Sequence, residues 1–86
     1  MSAVEAAYVP PQTATERSLC VIWGVILGSE SVSTTDNFLK LGGNSLLVTR
    51  LIAHVQHTLG IDISPRLVFD YPVLRDFAVQ IDRLRT

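Results

Sequence analysis

The sequence predicts an all-α fold, a small bundle of three long helices and one short helix with a long loop after the first helix. Two observations predict it. Apolar residues recur three and four positions apart in three separate stretches, the spacing of helices that bury one face. The chain has 86 residues, which suffice for one domain with a single core, and 48% of them are hydrophobic.

The first twelve residues differ from the rest of the chain. Residues 1–12 lack helical periodicity and include two consecutive prolines, which favour extended backbone. We therefore expect residues 1–12 to form an N-terminal arm or linker, and residues 13–86 to form the domain itself.

The first helix is predicted to follow Thr13. Glu16 stands three residues later, which is the spacing of a capping box with Thr13 as cap and Glu16 reaching back. Gly28 is the expected end of this helix. The predicted buried stripe consists of Leu19, Ile22, Trp23 and Ile26, and at this spacing Trp23 is expected to be a core residue.

Residues 29–44 are predicted to be a long loop, and loops of this length in compact domains commonly carry function. Its apolar residues are expected to anchor it to the core; they are Phe38, Leu39 and Leu41. The second helix is predicted from Ser45 to Leu59 and ends at Gly60. Its expected buried stripe is Val48, Leu51, Ile52, Val55 and Leu59.

The last third of the chain predicts two more helices. Ser64 is expected to cap a short helix with Pro65 in its first turn. This helix contains Leu67, Val68 and Phe69. Pro72 is the expected start of the last helix, whose apolar stripe is Leu74, Phe77, Ala78, Ile81 and Leu84.

Composition excludes several functional classes. The formal net charge is -1 and the second helix has only Arg50 as a strong cation, which argues against a helix-turn-helix DNA-binding protein. No apolar run is long enough to span a bilayer and no signal pattern is present, so we expect a cytoplasmic protein with no membrane contact. The single cysteine, Cys20, is expected to be a buried structural thiol.

Ser45 is the strongest candidate for a functional residue. It follows a glycine pair, Gly42 and Gly43, and stands at the predicted start of a helix. An anion attached to its hydroxyl would be favoured there by about 0.3–1 kcal/mol. The alternative is that Ser45 or Asn44 serves only as a helix cap.

Serine catalysis within this chain is not expected. Its only histidines, His54 and His57, lie nine and twelve residues beyond Ser45 on the same predicted helix. At about 1.5 Å per residue they would be roughly 13 to 18 Å away along the helix axis, whereas a general base must lie within about 3 Å. Their spacing could serve a metal, but no third ligand is evident, so no metal site is predicted.

One known family has a similar pattern. Residues 36–46, DNFLKLGGNSL, closely resemble the motif D-x-F-F-x-L-G-G-H/D-S-L of the peptidyl carrier (thiolation) domains of nonribosomal peptide synthetases. Residues 60–72, GIDISPRLVFDYP, are similar to the family's stretch before its last helix. The resemblance extends in order over about residues 13–84.

The resemblance implies a four-helix carrier fold in which Ser45 bears a 4′-phosphopantetheine arm and Gly42, Gly43 and Asn44 form the motif loop. A phosphopantetheinyl transferase would attach the arm from coenzyme A with magnesium. An adenylation domain or ligase would load an amino or aryl acid as a thioester, and condensation, tailoring or thioesterase domains would use it. The carrier itself would be a non-catalytic monomer. The positions that match family docking surfaces are Phe38, Leu46, Leu47, Arg66 and Leu67.

Three residues depart from the family pattern. Asn44 replaces the commoner His or Asp, and Val73 stands where a threonine often caps the last helix, a loss of about 1 kcal/mol unless another group substitutes. Leu47 occupies the place of an acidic residue in fatty-acid carriers, which favours the peptidyl type. The alternatives are an acyl carrier for polyketide-like or fatty-acid-like synthesis and an unmodified helical adaptor for protein interactions.

Overall fold

Four helices make up the regular structure of residues 8–85, the part of the chain that the computed structural model describes. They are α1 (Ala14–Leu27), α2 (Ser45–Leu59), α3 (Pro65–Asp70) and α4 (Leu74–Arg85). α1 packs against both α2 and α4, and α3 packs against α2. The predicted all-α fold, with three long helices, one short helix and a long loop between α1 and α2, is confirmed.

Three aromatic rings form the centre of the core. Trp23 from α1 meets Phe38 from the loop edge to face, with ring centroids 5.1 Å apart, and meets Phe77 from α4 at 6.3 Å. None of the three has any solvent exposure. Aromatic pairs of this kind contribute about 0.5–1.5 kcal/mol beyond the area they bury. The prediction that Trp23 is a core residue is confirmed, and the long loop is held to the helices through Phe38.

The ends of α1 follow the sequence prediction with one change. The Thr13 hydroxyl accepts the Glu16 N–H at 3.0 Å, as expected of a helix cap. The Glu16 carboxylate accepts the N–H of Gln12 at 2.7 Å, one residue earlier than a capping box requires. Gly28 ends the helix with a φ of 70°, a conformation that glycine adopts without the penalty of a Cβ atom.

The start of α4 was predicted wrongly, because the helix begins at Leu74 rather than at Pro72. Val73, just before it, forms an antiparallel bridge with Asn37 of the loop. The Leu74 N–H donates to the Asp36 carbonyl at 3.0 Å, and the Arg75 N–H donates to the Thr34 carbonyl at 2.9 Å. Backbone carbonyls of the loop therefore satisfy two N–H groups that a capping side chain would otherwise serve. This explains how α4 begins without a threonine at Val73.

Three other expectations are corrected. Leu41 is exposed because it follows the buried part of the loop and directly precedes Gly42, whose positive φ turns the chain. Leu84 is exposed because it lies in the final turn of α4, beyond the core residue Ile81. Ser64 occupies the cap position of α3, but its side chain makes no capping hydrogen bond.

The second half of the predicted N-terminal arm is hydrogen-bonded to the domain. The Val9 N–H donates to the Ser33 hydroxyl at 2.8 Å. The Val9 carbonyl accepts the backbone N–H of Thr34 at 2.9 Å and its hydroxyl at 3.2 Å. Val9 thus joins this part of the predicted arm to the long loop. Residues 1–7 of the predicted arm lie outside the described residues.

We expect Ser33→Ala to lower the free energy of unfolding by about 1 kcal/mol, because the Val9 N–H loses its acceptor. Urea denaturation followed by circular dichroism measures the change. Ser64→Ala is the matched control: Ser64 makes no capping bond, so its loss should cost less than about 0.5 kcal/mol. Equal costs for the two substitutions would contradict the role assigned to Ser33.

Candidate functional site

A pair of glycines shapes the loop immediately before α2, and each is required for a different reason. Gly42 has a φ of 106°, which side-chain-bearing residues rarely adopt. A Cβ atom on Gly43 would lie 2.5 Å from the Phe38 ring and 2.6 Å from the Phe38 carbonyl oxygen. The Gly43 N–H donates to that same carbonyl at 2.9 Å. The loop therefore passes closely over Phe38 and turns into α2.

Asn44 is the cap of α2. Its side-chain oxygen accepts the N–H of Leu47 at 3.0 Å, and its carbonyl accepts the N–H of Val48 at 2.8 Å. Ser45 is consequently the first helical residue. Of the two capping alternatives, the structure assigns the cap to Asn44, which leaves the Ser45 side chain without a part in starting the helix.

The hydroxyl of Ser45 is available to a partner. Ser45 is exposed, and within residues 8–85 its hydroxyl has no hydrogen-bond partner. Its backbone carbonyl, by contrast, is engaged by the Thr49 hydroxyl at 3.0 Å. The glycines before it add no side chains that would obstruct an approaching enzyme. The local geometry therefore presents the oxygen atom of Ser45 to solvent on a fixed backbone.

The charge around Ser45 favours an anion. The N-terminal N–H groups and dipole of α2 provide a partial positive charge, and the first turn of this helix contains no acidic residue. Residues 37–61 include Lys40 and Arg50 but no aspartate or glutamate. A negatively charged group on Ser45 would thus meet no carboxylate from this segment.

Two of the predicted docking residues are strongly exposed. The Leu46 side chain, next to Ser45, is 62% exposed, and Arg66 on α3 lies at the surface in an ion pair with Asp70 at 3.5 Å. Leu47 and Leu67 are half-buried and pack against the core. These four residues stay candidates for partner contact.

Phe38 does not fit the docking role predicted for it. Its side chain has no exposure, because the ring lies between Trp23 and the Gly43 backbone. A residue at this position cannot touch a partner directly. The prediction that Phe38 belongs to the docking surface is therefore wrong, whereas the prediction that it anchors the loop to the core is confirmed.

Three exposed apolar residues near the motif elements were missed by the sequence prediction. They are Leu41 on the loop, Phe69 on α3 and Tyr71 just after α3. A signal for one of them was present. Leu67, Val68 and Phe69 are consecutive, and with 3.6 residues per turn a helix cannot direct all three towards one core. Val68 is the buried one, which leaves Phe69 outside.

The remaining reactive side chains do not form a catalytic centre in the described residues. His54 and His57 are exposed on α2. No cluster of three or more metal-ligating side chains occurs within residues 8–85. Cys20, predicted to be buried, is half-buried. Burial, together with the carboxylates of Glu16 and Asp36, raises the pKa of the Cys20 thiol.

Comparison with known proteins identifies similar sequences and folds. Residues 17–80 match the family described as "Phosphopantetheine attachment site". Phosphinothricin tripeptide synthetase PhsB of Streptomyces viridochromogenes is 42% identical over 71 residues, which are 83% of this chain. That relative is far longer, since the matched region is only 6% of its length.

Solved structures with the same fold include isolated carrier domains. A "Non Ribosomal PCP domain" superimposes with a TM-score of 0.76 at 37% identity, over 83% of this chain and 91% of that one. A peptidyl carrier protein in complex with the phosphopantetheine transferase Sfp and coenzyme A superimposes with a TM-score of 0.84 at 28% identity. That match covers 88% of this chain and 99% of the other.

Replacing the cap of α2 should destabilise the domain. We expect Asn44→Ala to lower the free energy of unfolding by about 1 kcal/mol, because the Leu47 N–H loses its acceptor. Asn44→Asp keeps an oxygen at the cap and should retain the parent stability within about 0.5 kcal/mol. Urea denaturation of both variants measures the free energy of unfolding. An equal decrease in the two variants would contradict the capping role of the Asn44 side-chain oxygen.

Gly43→Ala should cost about 1–3 kcal/mol, because the new methyl group collides with the ring and carbonyl of Phe38. The near-ultraviolet circular dichroism of the aromatic core should change with it. Gly60→Ala is the control, since a Cβ atom there meets nothing within 4 Å and the cost arises only from a φ of 71°. A Gly43→Ala variant with parental stability and an unchanged aromatic spectrum would contradict the close contact.

Proposed function

The chain belongs to the phosphopantetheine attachment site family as a carrier domain of the nonribosomal peptide synthetase type, and on this basis we propose that Ser45 is the residue that bears its 4′-phosphopantetheine arm. The observation that carries the proposal is the division of roles at the start of α2. Asn44 supplies the cap, so the exposed Ser45 hydroxyl has no hydrogen bond to another group of residues 8–85 that it would lose when it is modified.

The residues around Ser45 fit a phosphodiester. Its negative charge would lie at the N-terminus of α2, where it is favoured by about 0.3–1 kcal/mol. The neighbouring loop contributes glycine backbone rather than bulky side chains. When bound, the group supplies a terminal thiol on a flexible arm, to which an acid is attached as a thioester. The domain supplies the anchor for that arm and a surface by which enzymes recognise it.

Attachment requires a partner enzyme. In the proposed reaction the Ser45 oxygen attacks the phosphorus atom of coenzyme A that bears the pantetheine. A new P–O bond forms at Ser45, the bond within the diphosphate breaks, and adenosine 3′,5′-bisphosphate leaves. The hydroxyl proton passes to a base of the transferase, because no group within residues 8–85 hydrogen-bonds the Ser45 hydroxyl. Magnesium held by the transferase would offset the charge on the diphosphate.

The domain is proposed to be a non-catalytic carrier. It contributes the nucleophilic oxygen of Ser45 to its own modification, and no group within residues 8–85 hydrogen-bonds that oxygen to act as a general base. Tethering its cargo turns diffusion between active sites into an intramolecular search at a raised effective concentration.

Membership of the carrier-domain family is also the basis on which we propose the partners of this domain. A transferase such as the Sfp of the structural match would install the arm, and an adenylation domain or ligase would load an amino or aryl acid. Condensation, tailoring or thioesterase domains would then use the amino-acyl, peptidyl or aryl thioester.

None of the helices within residues 8–85 has the length and apolar character to cross a bilayer. We propose that the domain acts as a monomer in the cytoplasm, where coenzyme A and ATP are available.

Intact-protein mass spectrometry tests the assignment of Ser45. Incubation with coenzyme A, magnesium and Sfp should add the mass of one phosphopantetheine to the parent protein and nothing to Ser45→Ala. Thr49→Ala, one turn along the same helix, is the control and should be modified like the parent. An unmodified parent, with a known carrier modified in parallel, would leave the adaptor alternative. A modified Ser45→Ala variant would place the arm elsewhere.

A further inference from the structure

Phe38 occupies a position that its predicted docking role does not explain. We propose that Phe38 is a positioning residue for the modification of Ser45: it fixes the backbone that leads into α2 without touching the transferase or coenzyme A. This inference rests on the proposed attachment of the arm to Ser45. Under this proposal Phe38, although completely buried, affects the rate at which phosphopantetheine is attached to Ser45.

The contact between Phe38 and Gly43 has two parts. The Phe38 carbonyl accepts the Gly43 N–H at 2.9 Å, which closes the loop through its backbone. The Phe38 ring lies beneath Gly43 so closely that a Cβ atom there would be 2.5 Å from it. Gly43 is therefore held by a backbone hydrogen bond and by contact with the Phe38 ring. Only Asn44 separates Gly43 from Ser45.

Phe38 is itself held by two other parts of the fold. Its N–H donates to the Pro72 carbonyl at 2.8 Å, in the segment between α3 and α4. Its ring packs edge to face on Trp23 of α1. Because the ring, the N–H and the carbonyl are all engaged, Phe38 transmits the rigidity of α1 and α4 to the glycine pair. The position of Ser45 is then set by the core rather than by the loop alone.

A fixed backbone matters for transfer because the Ser45 oxygen must reach phosphorus in line with the departing group. Misplacement of a reacting atom by about 1 Å can slow a reaction about a hundredfold, even when the altered residue lies outside the active site. A smaller side chain at position 38 would leave space beneath Gly43 and loosen the turn into α2. Surface residues such as Leu46 and Arg66 would be unaffected, so binding of the transferase should change little.

The test is single-turnover phosphopantetheine transfer by Sfp to Phe38→Leu, with Ile81→Val as control. Ile81 is equally buried, but it lies two turns into α4, about 10 Å along the helix from its start. Both variants are assayed at a temperature where circular dichroism shows them folded. We expect Phe38→Leu to slow transfer about tenfold at saturating carrier, with the half-saturating carrier concentration within about threefold of the parent. Ile81→Val should keep the parental rate.

Gly43→Ala reaches the same contact from the opposite side and should slow transfer in the same way, which keeps the test decisive if Phe38→Leu does not fold. Parental rates in both variants would overturn the proposal. A raised half-saturating concentration with an unchanged maximal rate would overturn it too, because that result describes a docking residue. Failure of the parent itself to accept the arm would instead refute the function proposed for Ser45.

Discussion

The ring of Phe38 lies where a Cβ atom on Gly43 would have to go, and the Phe38 carbonyl binds the Gly43 N–H from the same side. Much of the fold depends on this contact. The same Phe38 ring packs on Trp23, which holds the long loop to α1. From Gly43 the chain continues through Asn44 into α2. The Phe38 N–H also donates to the Pro72 carbonyl, and this bond joins the loop to the segment just before α4. The site and the core are thus parts of one packed arrangement.

Roles at the start of α2 are divided between adjacent residues. A serine at a helix N-terminus ordinarily uses its hydroxyl to satisfy a free N–H group. Here Asn44 does so, and the Ser45 hydroxyl faces solvent. A carrier requires this separation, because a cap that became esterified would lose the bond that starts its helix. Asn44, a departure from the commoner residues of the family motif, still meets the requirement.

Helical periodicity was enough to predict the elements, and the motif was enough to locate Ser45. The stripe of α1 and the glycines that end α1 and α2 depend on local sequence, so they could be predicted from it. The start of α4 could not, because its first N–H groups bond to Asp36 and Thr34, more than thirty residues earlier. For Phe38 the sequence supported two roles: an anchor of the loop to the core, which its burial confirms, and a docking residue, which that burial does not fit. An aromatic residue within a family motif is compatible with docking or with burial, and only the packing distinguishes them.

Mapping of the modified residue tests the central claim most directly. After treatment with Sfp and coenzyme A, trypsin should release residues 41–50, LGGNSLLVTR, because cleavage occurs after Lys40 and Arg50. Ser45 and Thr49 carry the only hydroxyl groups of this peptide. Fragmentation by tandem mass spectrometry should place the phosphopantetheine on Ser45. Its location on Thr49, or on a peptide from another part of the chain, would contradict the account of the site.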